Sequence, residues 1–251
     1  MSTNENKQPV RLIQLNQYIR PKLDENKSKN WVLNGKNNSF YQYVIDRYNG
    51  SPTNSAIINS YIDLMLGNGL SAKNKMNPNW IKLKTILSNS DLRRLISDFI
   101  IFNECSFQVV KSKNGKDLAG IYHLPIEKVA PSLVNEDNEI ETYWFCKDWS
   151  KQNQNPPEYY PSFGTSNEAI EIYRIKPYKI GQGYFSPPSY MQGLTYAFME
   201  EKIAEYYASH IQNGLSFGYI INIPDGNSLS PEQKDELEYK IKQKLTGSNN
   251  A

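Results

Sequence analysis

The sequence predicts an α+β fold: N-terminal helices, a central antiparallel β meander and a C-terminal helix-strand-helix. Three observations carry that expectation. Apolar residues recur at helical spacing between residues 53 and 102, the period shortens to two between residues 105 and 175, and helical spacing returns from residue 190. With 39% hydrophobic residues and 18 Tyr in 251 residues, the chain has enough apolar and aromatic surface to build a core.

Residues 1–30 carry Asn, Lys, Gln and Glu with scattered aliphatics (Val10, Leu12, Ile13, Leu15), the composition of a flexible N-terminal arm that orders on a partner. Residues 31–188 are expected to form the helical plus β-meander portion, and residues 189–251 a long helix, a strand and a last helix. From Thr53, the residues Ile57, Ile58, Tyr61, Ile62, Met65 and Leu66 predict a helix that Gly67 and Gly69 stop in the left-handed region. A second helix is expected over Trp80–Leu87. Ser90 is the expected N-cap of a third, with Leu92, Leu95, Ile96, Phe99 and Ile100 on its apolar face.

Two strand-like runs then flank Lys113-Asn114-Gly115-Lys116, whose Asn-Gly pair tolerates positive φ and predicts a tight hairpin. A further strand is expected in Glu141–Cys146. Residues 147–167 are rich in Pro, Asn and Ser and read as a long surface loop, after which Glu171–Tyr178 resumes alternation.

Tyr190–Asn213 is the strongest helical pattern. Glu201, Lys202, Glu205, Ser209 and Gln212 gather on one arc, and Tyr196, Ala197, Ile203, Ala204, Tyr207, Ala208 and Ile211 spread over a wide opposite arc. A helix apolar over so wide an arc needs more than one packing partner. Glu200 falls inside that arc, where an unpaired carboxylate is costly, so it is expected to meet a basic or hydroxyl group or to lie at an interface. A strand is expected in Phe217–Ile223. Ser230, Pro231 and Gln233 spell a capping box for a last helix, with Glu236–Lys240 and Glu238–Lys242 pairs and a narrow stripe of Leu237, Ile241 and Leu245.

The formal charge is +2, which argues against a protein that grips nucleic acid by neutralising phosphates. No stretch approaches 18 apolar residues, and the first residues lack a signal-peptide pattern. Cys105 and Cys146 read as free buried thiols, and His123 and His210 lie on unrelated elements, so neither a metal centre nor a Cys-His nucleophile is indicated. Gly67-Asn68-Gly69 and Gly181-Gln182-Gly183 are in the wrong context for phosphate cradles and read as caps and turns. The pairs Glu200-Glu201 and Glu136-Asp137 read as helix surface and turn rather than as acid-base dyads. Trp144, Phe145, Trp149, Tyr159 and Tyr160 read as packing aromatics, because few Lys or Arg interleave as base stacking would require.

The last third adds a sequence of short signatures. Ile175-Lys176-Pro177 is followed by a turn with Tyr184, Ser186, Pro187 and Pro188. A long helix follows and ends in Asn213-Gly214, then the apolar Tyr219-Ile220-Ile221, then Ser230-Pro231-Glu232 opening a helix, then Gly247-Ser248-Asn249-Asn250-Ala251. In that order and spacing they resemble the portal (head-tail connector) proteins of tailed bacteriophages. The family has a small residue after the Tyr of the turn, where this chain has Phe185. The resemblance implies a non-enzymatic structural subunit without a cofactor, one of about twelve in a ring at a capsid vertex. That ring is a channel for double-stranded DNA during packaging and ejection. Terminase, capsid and tail or adaptor proteins are the implied partners, with no membrane. The virion is the implied location, with assembly in the host cytoplasm. Portal chains continue past the Gly-x-x-Asn-Ala segment, so the resemblance also implies a truncated chain. Under this reading Tyr196, Glu200, Ile203, Tyr207 and Ile211 are the candidate subunit-interface residues. Two alternatives remain open at the level of the sequence: a metal-dependent phage nuclease or hydrolase, which predicts a metal-induced rise in Tm, and a monomeric protein-interaction module, which predicts no ring.

Overall fold

Strand alternation and helix caps organise the chain, and in the computed structural model they are described for residues 22–113, 115, 117–212 and 230–245. The first strands, β1 (Asp24–Asn26) and β2 (Trp31–Leu33), pair antiparallel, so the described end of the polar N-terminal segment is already built into a small sheet. β2 is buried on both faces, and its alternation splits the core: Val32 joins one cluster while Trp31 and Leu33 join another.

The sequence gives no clear element between residues 34 and 51, yet helix α1 (Ser39–Gly50) lies there. Its entry is made by Asn37 and Asn38 in left-handed conformation, with φ of 56° and 59°. The Asn38 side chain accepts from the Asn34 N–H and donates to the Glu127 carbonyl. Helix α2 (Pro52–Leu66) starts at once after it. Ser51 is its N-cap, accepting from the Asn54 N–H, and Pro52 takes the first helical position. Gly67, at φ 47°, ends it as expected.

Helix α3 (Pro78–Ile86) is capped by Asn77. Helix α4 (Asn89–Phe102) begins two residues earlier than the expected cap would allow: Ser88, not Ser90, accepts from the Asp91 N–H, and its hydroxyl donates back to the Asp91 carboxylate. Asn103 in the left-handed region closes α4.

Strands β3 (Cys105–Lys111) and β4 (Leu118–Leu124) form the expected antiparallel hairpin. Gly115 in its loop has φ 68°, and Asn114 lies outside the described residues. Next come β5 (Val129–Pro131), β6 (Thr142–Phe145), β7 (Glu158–Pro161) and β8 (Ile170–Ile175). Two features depart from a simple meander. β7 occupies part of the expected loop, as an edge strand of the β5-β6-β7 sheet where its terminal Pro161 is tolerated. β8 returns to pair with β3, giving a second sheet ordered β4-β3-β8.

Among the described residues three clusters make the core. Val32, Phe40, Tyr41, Val44, Phe102, Ile126, Phe185 and Leu194 join α1 and α4 to the turn before the long helix. Trp31, Leu33, Ala130, Cys146 and Trp149 form the second, and Val129, Tyr143 and Ile172 the third. The aromatics read as packing residues do pack: Trp144 and Trp149 each meet Trp31 edge-on at 5.5 Å. The long helix opens with a 3-10 turn at Met191–Gly193 and becomes α5 (Leu194–Gln212). Helix α6 (Pro231–Leu245) carries the expected reciprocal capping box between Ser230 and Gln233, and its Glu236–Lys240 pair forms. The expected strand at 217–223 lies outside the described residues, as do the side chains of Glu238, Ile241 and Leu245. Among the described residues no helix is long and apolar enough to cross a membrane.

Candidate functional site

Helix α5 is fixed to the body through its first two turns. Leu194 and Ala197 are buried, and Phe198 lies under the Arg47 guanidinium at 4.9 Å. Two adjacent carboxylates complete the dock. Glu201 accepts from Arg47 of α1, and both side chains are largely shielded from water. Glu200 accepts from the hydroxyls of Ser51 and Thr53 at the start of α2, the contact to Thr53 being 2.6 Å. Those two hydroxyls hold the Glu200 carboxyl below the usual carboxylate range. Of the expected alternatives for Glu200, a basic group, a hydroxyl or an interface, the structure shows hydroxyls, and they lie within its own chain.

Gly50 makes the approach possible. A methyl group there would stand 2.7 Å from the Glu201 carboxyl carbon, so the last residue of α1 is the one over which the carboxylate rests.

The other four candidates stand away from the dock. Tyr196, Ile203, Tyr207 and Ile211 are all more than half exposed, Tyr196 at 74%. Their spacing places them on one face of α5, opposite Leu194 and Phe198. The structure adds Met199 and Tyr206, exposed on the same side, and their signal was in the sequence: 196, 199, 203, 206 and 207 follow the i, i+3, i+7, i+10, i+11 rule. Tyr206 packs edge-on against His210 at 4.2 Å and against Tyr207 at 5.7 Å, so the aromatic part of the stripe is preorganised. Ala204 and Ala208, on the side that docks further back, are exposed too. Beyond Lys202 the helix therefore leaves the body with an apolar stripe on its outer face.

The base of α5 is held by a buried polar knot. Glu104, between α4 and β3, accepts from Arg174 of β8 at 2.6 Å, from the Tyr41 hydroxyl at 3.1 Å and from the Ser186 N–H. Arg174 also donates to the Tyr184 carbonyl and lies over the Phe185 ring at 5.1 Å. Phe185 is thus a core residue, sealing the turn that feeds α5. Burial works against the charge on Arg174, but Glu104 and the tyrosine oxygens raise its pKa above the usual arginine value. Burial, then Glu104, raises the Tyr41 pKa well above the ordinary tyrosine value.

Residues weighed for chemistry have structural partners. Cys105 and Cys146 are free and buried, and burial, with Asp98 and Glu104 nearby, pushes the Cys105 thiol up to about 12. His123 pairs with Asp98 at 2.8 Å. Glu136 and Asp137 lie in the turn that the Asn135 side chain closes by accepting from the Asp137 and Glu139 N–H groups. Gly181 and Gln182 lie in a turn closed onto Lys179. Among the described residues no three His, Cys, Asp or Glu side chains are grouped to hold a metal ion.

No family model and no curated protein matches the sequence. Solved structures do match in fold. A chain from the virion of a native gene transfer agent particle superposes with a TM-score of 0.55 at 11% identity, over 84% of this chain and 56% of that one. A chain from the neck of the empty gene transfer agent particle, computed with C6 symmetry, gives 0.54 at 13% identity, over 84% and 57%. The chain spans a little over half the length of these matches, and the likeness is one of α+β fold.

Proposed function

We propose that the protein is a structural subunit of a phage portal ring at the capsid vertex. The ring forms the channel for double-stranded DNA and the docking site for packaging motor and tail. The observation that carries this reading is α5: a helix held at its base by Glu200 and Glu201, presenting Tyr196, Met199, Ile203, Tyr206, Tyr207 and Ile211 outward. An apolar stripe held out in this way on a soluble chain is the mark of a surface awaiting another protein. Two further supports agree with it. The order of signatures from Ile175 to Ala251 resembles portal proteins, and the fold is shared with chains of phage-like particles, one of them from a neck. The charge of +2 suits a conduit, since each phosphate neutralised by a subunit would add affinity and slow the passage of DNA.

Assembly tests the proposal. Sedimentation velocity and negative-stain microscopy of the full chain at tens of micromolar should show closed rings of about twelve copies. A chain that stays monomeric at all concentrations up to that range overturns it.

A further inference from the structure

A second uncovered apolar surface lies on α2. Ile57, Tyr61, Leu64 and Met65 recur at i, i+4, i+7 and i+8 and are all more than half exposed, Leu64 at 77%, while Ile58 and Ile62 beside them face inward. A cleft of about 420 Å³ opens along this stripe between α2 and α4. Ile57, Tyr61, Phe99, Ile100 and Tyr190 line it with Asn54. The Asn54 side-chain nitrogen is buried and has no hydrogen-bond partner among the described residues.

We infer that the α2–α4 cleft of one copy receives the outer stripe of α5 from a second copy of this chain, a contact that rests on the ring reading above. Area is the first argument. The side chains of the two stripes, at roughly 200 Å² each and a little over half exposed, offer about 1,100 Å² of removable surface. That total lies near the lower edge of specific interfaces, before any polar rim is counted.

Chemistry is the second. The α5 stripe is rich in tyrosine, whose rings fill a cleft walled by the aliphatic and aromatic side chains of Ile57, Tyr61, Phe99 and Ile100 and whose hydroxyls can stay at its polar edge. Nearby charges are already paired within each surface: Asp63 with Arg93 at 2.8 Å on the α2 side, and Lys202 with Glu205 at 2.6 Å on α5. The Glu200 carboxylate, which falls within the α5 stripe, is held by the Ser51 and Thr53 hydroxyls of its own chain.

Geometry is the third. The two surfaces belong to different elements, so a copy whose α5 enters a neighbour keeps its own cleft for the next copy. Such a head-to-tail contact repeats and closes into a ring when the rotation allows, whereas two copies that exchange both contacts stop at a dimer and give no ladder on cross-linking. A symmetric α5-on-α5 contact would leave the α2–α4 cleft uncovered.

Cysteine cross-linking of the full chain tests the pairing, because the native thiols are buried and both chosen sites are exposed. With Ile203→Cys and Leu64→Cys in one chain, a short bis-maleimide should give a ladder of covalent multimers. The two single variants mixed together should stop at dimers, and each alone should give none. Dimers from Ile203→Cys alone would indicate the symmetric contact and overturn the inference. Rings that form in sedimentation yet give no ladder overturn it while leaving the ring reading standing. Absence of any assembly overturns both. As a second measurement, Ile203→Asp and Leu64→Asp should each weaken self-association at least tenfold while leaving the far-UV circular dichroism spectrum of the folded chain unchanged, and association at the wild-type level in both variants overturns the pairing.

Discussion

At the scale of the residue, the Glu104–Arg174 pair decides whether the base of α5 holds its shape. Both side chains are almost fully buried. Removing one partner strands the other charge in a medium that solvates it poorly, which costs more than the pair contributes. Arg174→Met is expected to destabilise the protein by about 3–5 kcal/mol in urea unfolding. Adding Glu104→Gln should recover part of that loss, because the neutral amide oxygen still accepts from the Ser186 N–H while the amide nitrogen, in place of the other oxygen, donates to the Tyr41 hydroxyl. Costs that simply add would contradict the buried-charge account. The thiols give a second residue-level expectation. Cys105 is pushed up to about 12 and Cys146 is raised by burial, so neither carries much reactive thiolate at pH 8. Maleimide should label neither in the native protein and both in urea; rapid native labelling would show that one of them opens to solvent.

At the scale of the element, the docking of α5 on α1 depends on an absent side chain. Gly50→Ala places its methyl against the Glu201 carboxylate and moves that carboxylate off Arg47. Gly50→Ala and Glu201→Ala then remove the same charged hydrogen bond, worth about 1.5–3 kcal/mol. In a double-mutant cycle the second change should add little to the first, and full additivity would mean that the close approach is incidental. The stripe of α5 was legible in the sequence because a 3.6-residue period is a local property, and so was the need of Glu200 for a basic or hydroxyl partner or an interface. That Ser51 and Thr53 supply those hydroxyls was not legible, since only tertiary docking brings α2 there. Helix α2 shows the same boundary from the other side. Its periodicity marks two apolar faces, Ile58 with Ile62 and Ile57 with Tyr61 and Leu64, and nothing local says which one is covered. Helix α1 escaped because its start is written in Asn residues with positive φ, which read as loop, and β7 because an edge strand tolerates the Pro and Tyr of a loop-like segment. The cap of α4 shifted to Ser88 because Asp91 answers it reciprocally, while Ser90 has no such partner at the helix start.

At the scale of the whole molecule, acid should loosen the structure through carboxylates that tie distant segments together. Glu171 of β8 is fully buried. It meets Lys111 of β3 at 2.9 Å and accepts from the Gly164 N–H and the Ser166 hydroxyl. Burial pushes its pKa up, but Lys111 and those donors prevail and hold it below the ordinary value of 4.5. Glu200 is depressed in the same sense by Ser51 and Thr53. A group with a folded pKa below its unfolded one contributes stability above the unfolded value and loses it as pH falls through the folded value. Both ties should therefore be intact above about pH 5 and weaken below that. Glu127 works the other way: burial raises its pKa, so its protonation in mild acid favours the folded chain and offsets part of the loss. Thermal unfolding followed from pH 7 to pH 3 should show Tm steady at first and then falling. Glu171→Gln should lower Tm at pH 7, by the loss of charged hydrogen bonds worth about 1.5–3 kcal/mol, and flatten the acid slope. Glu127→Gln should steepen that slope, because it removes the opposing proton uptake. Opposite changes of slope in the two variants are the signature of this arrangement, and equal slopes in both would place the acid sensitivity elsewhere in the molecule.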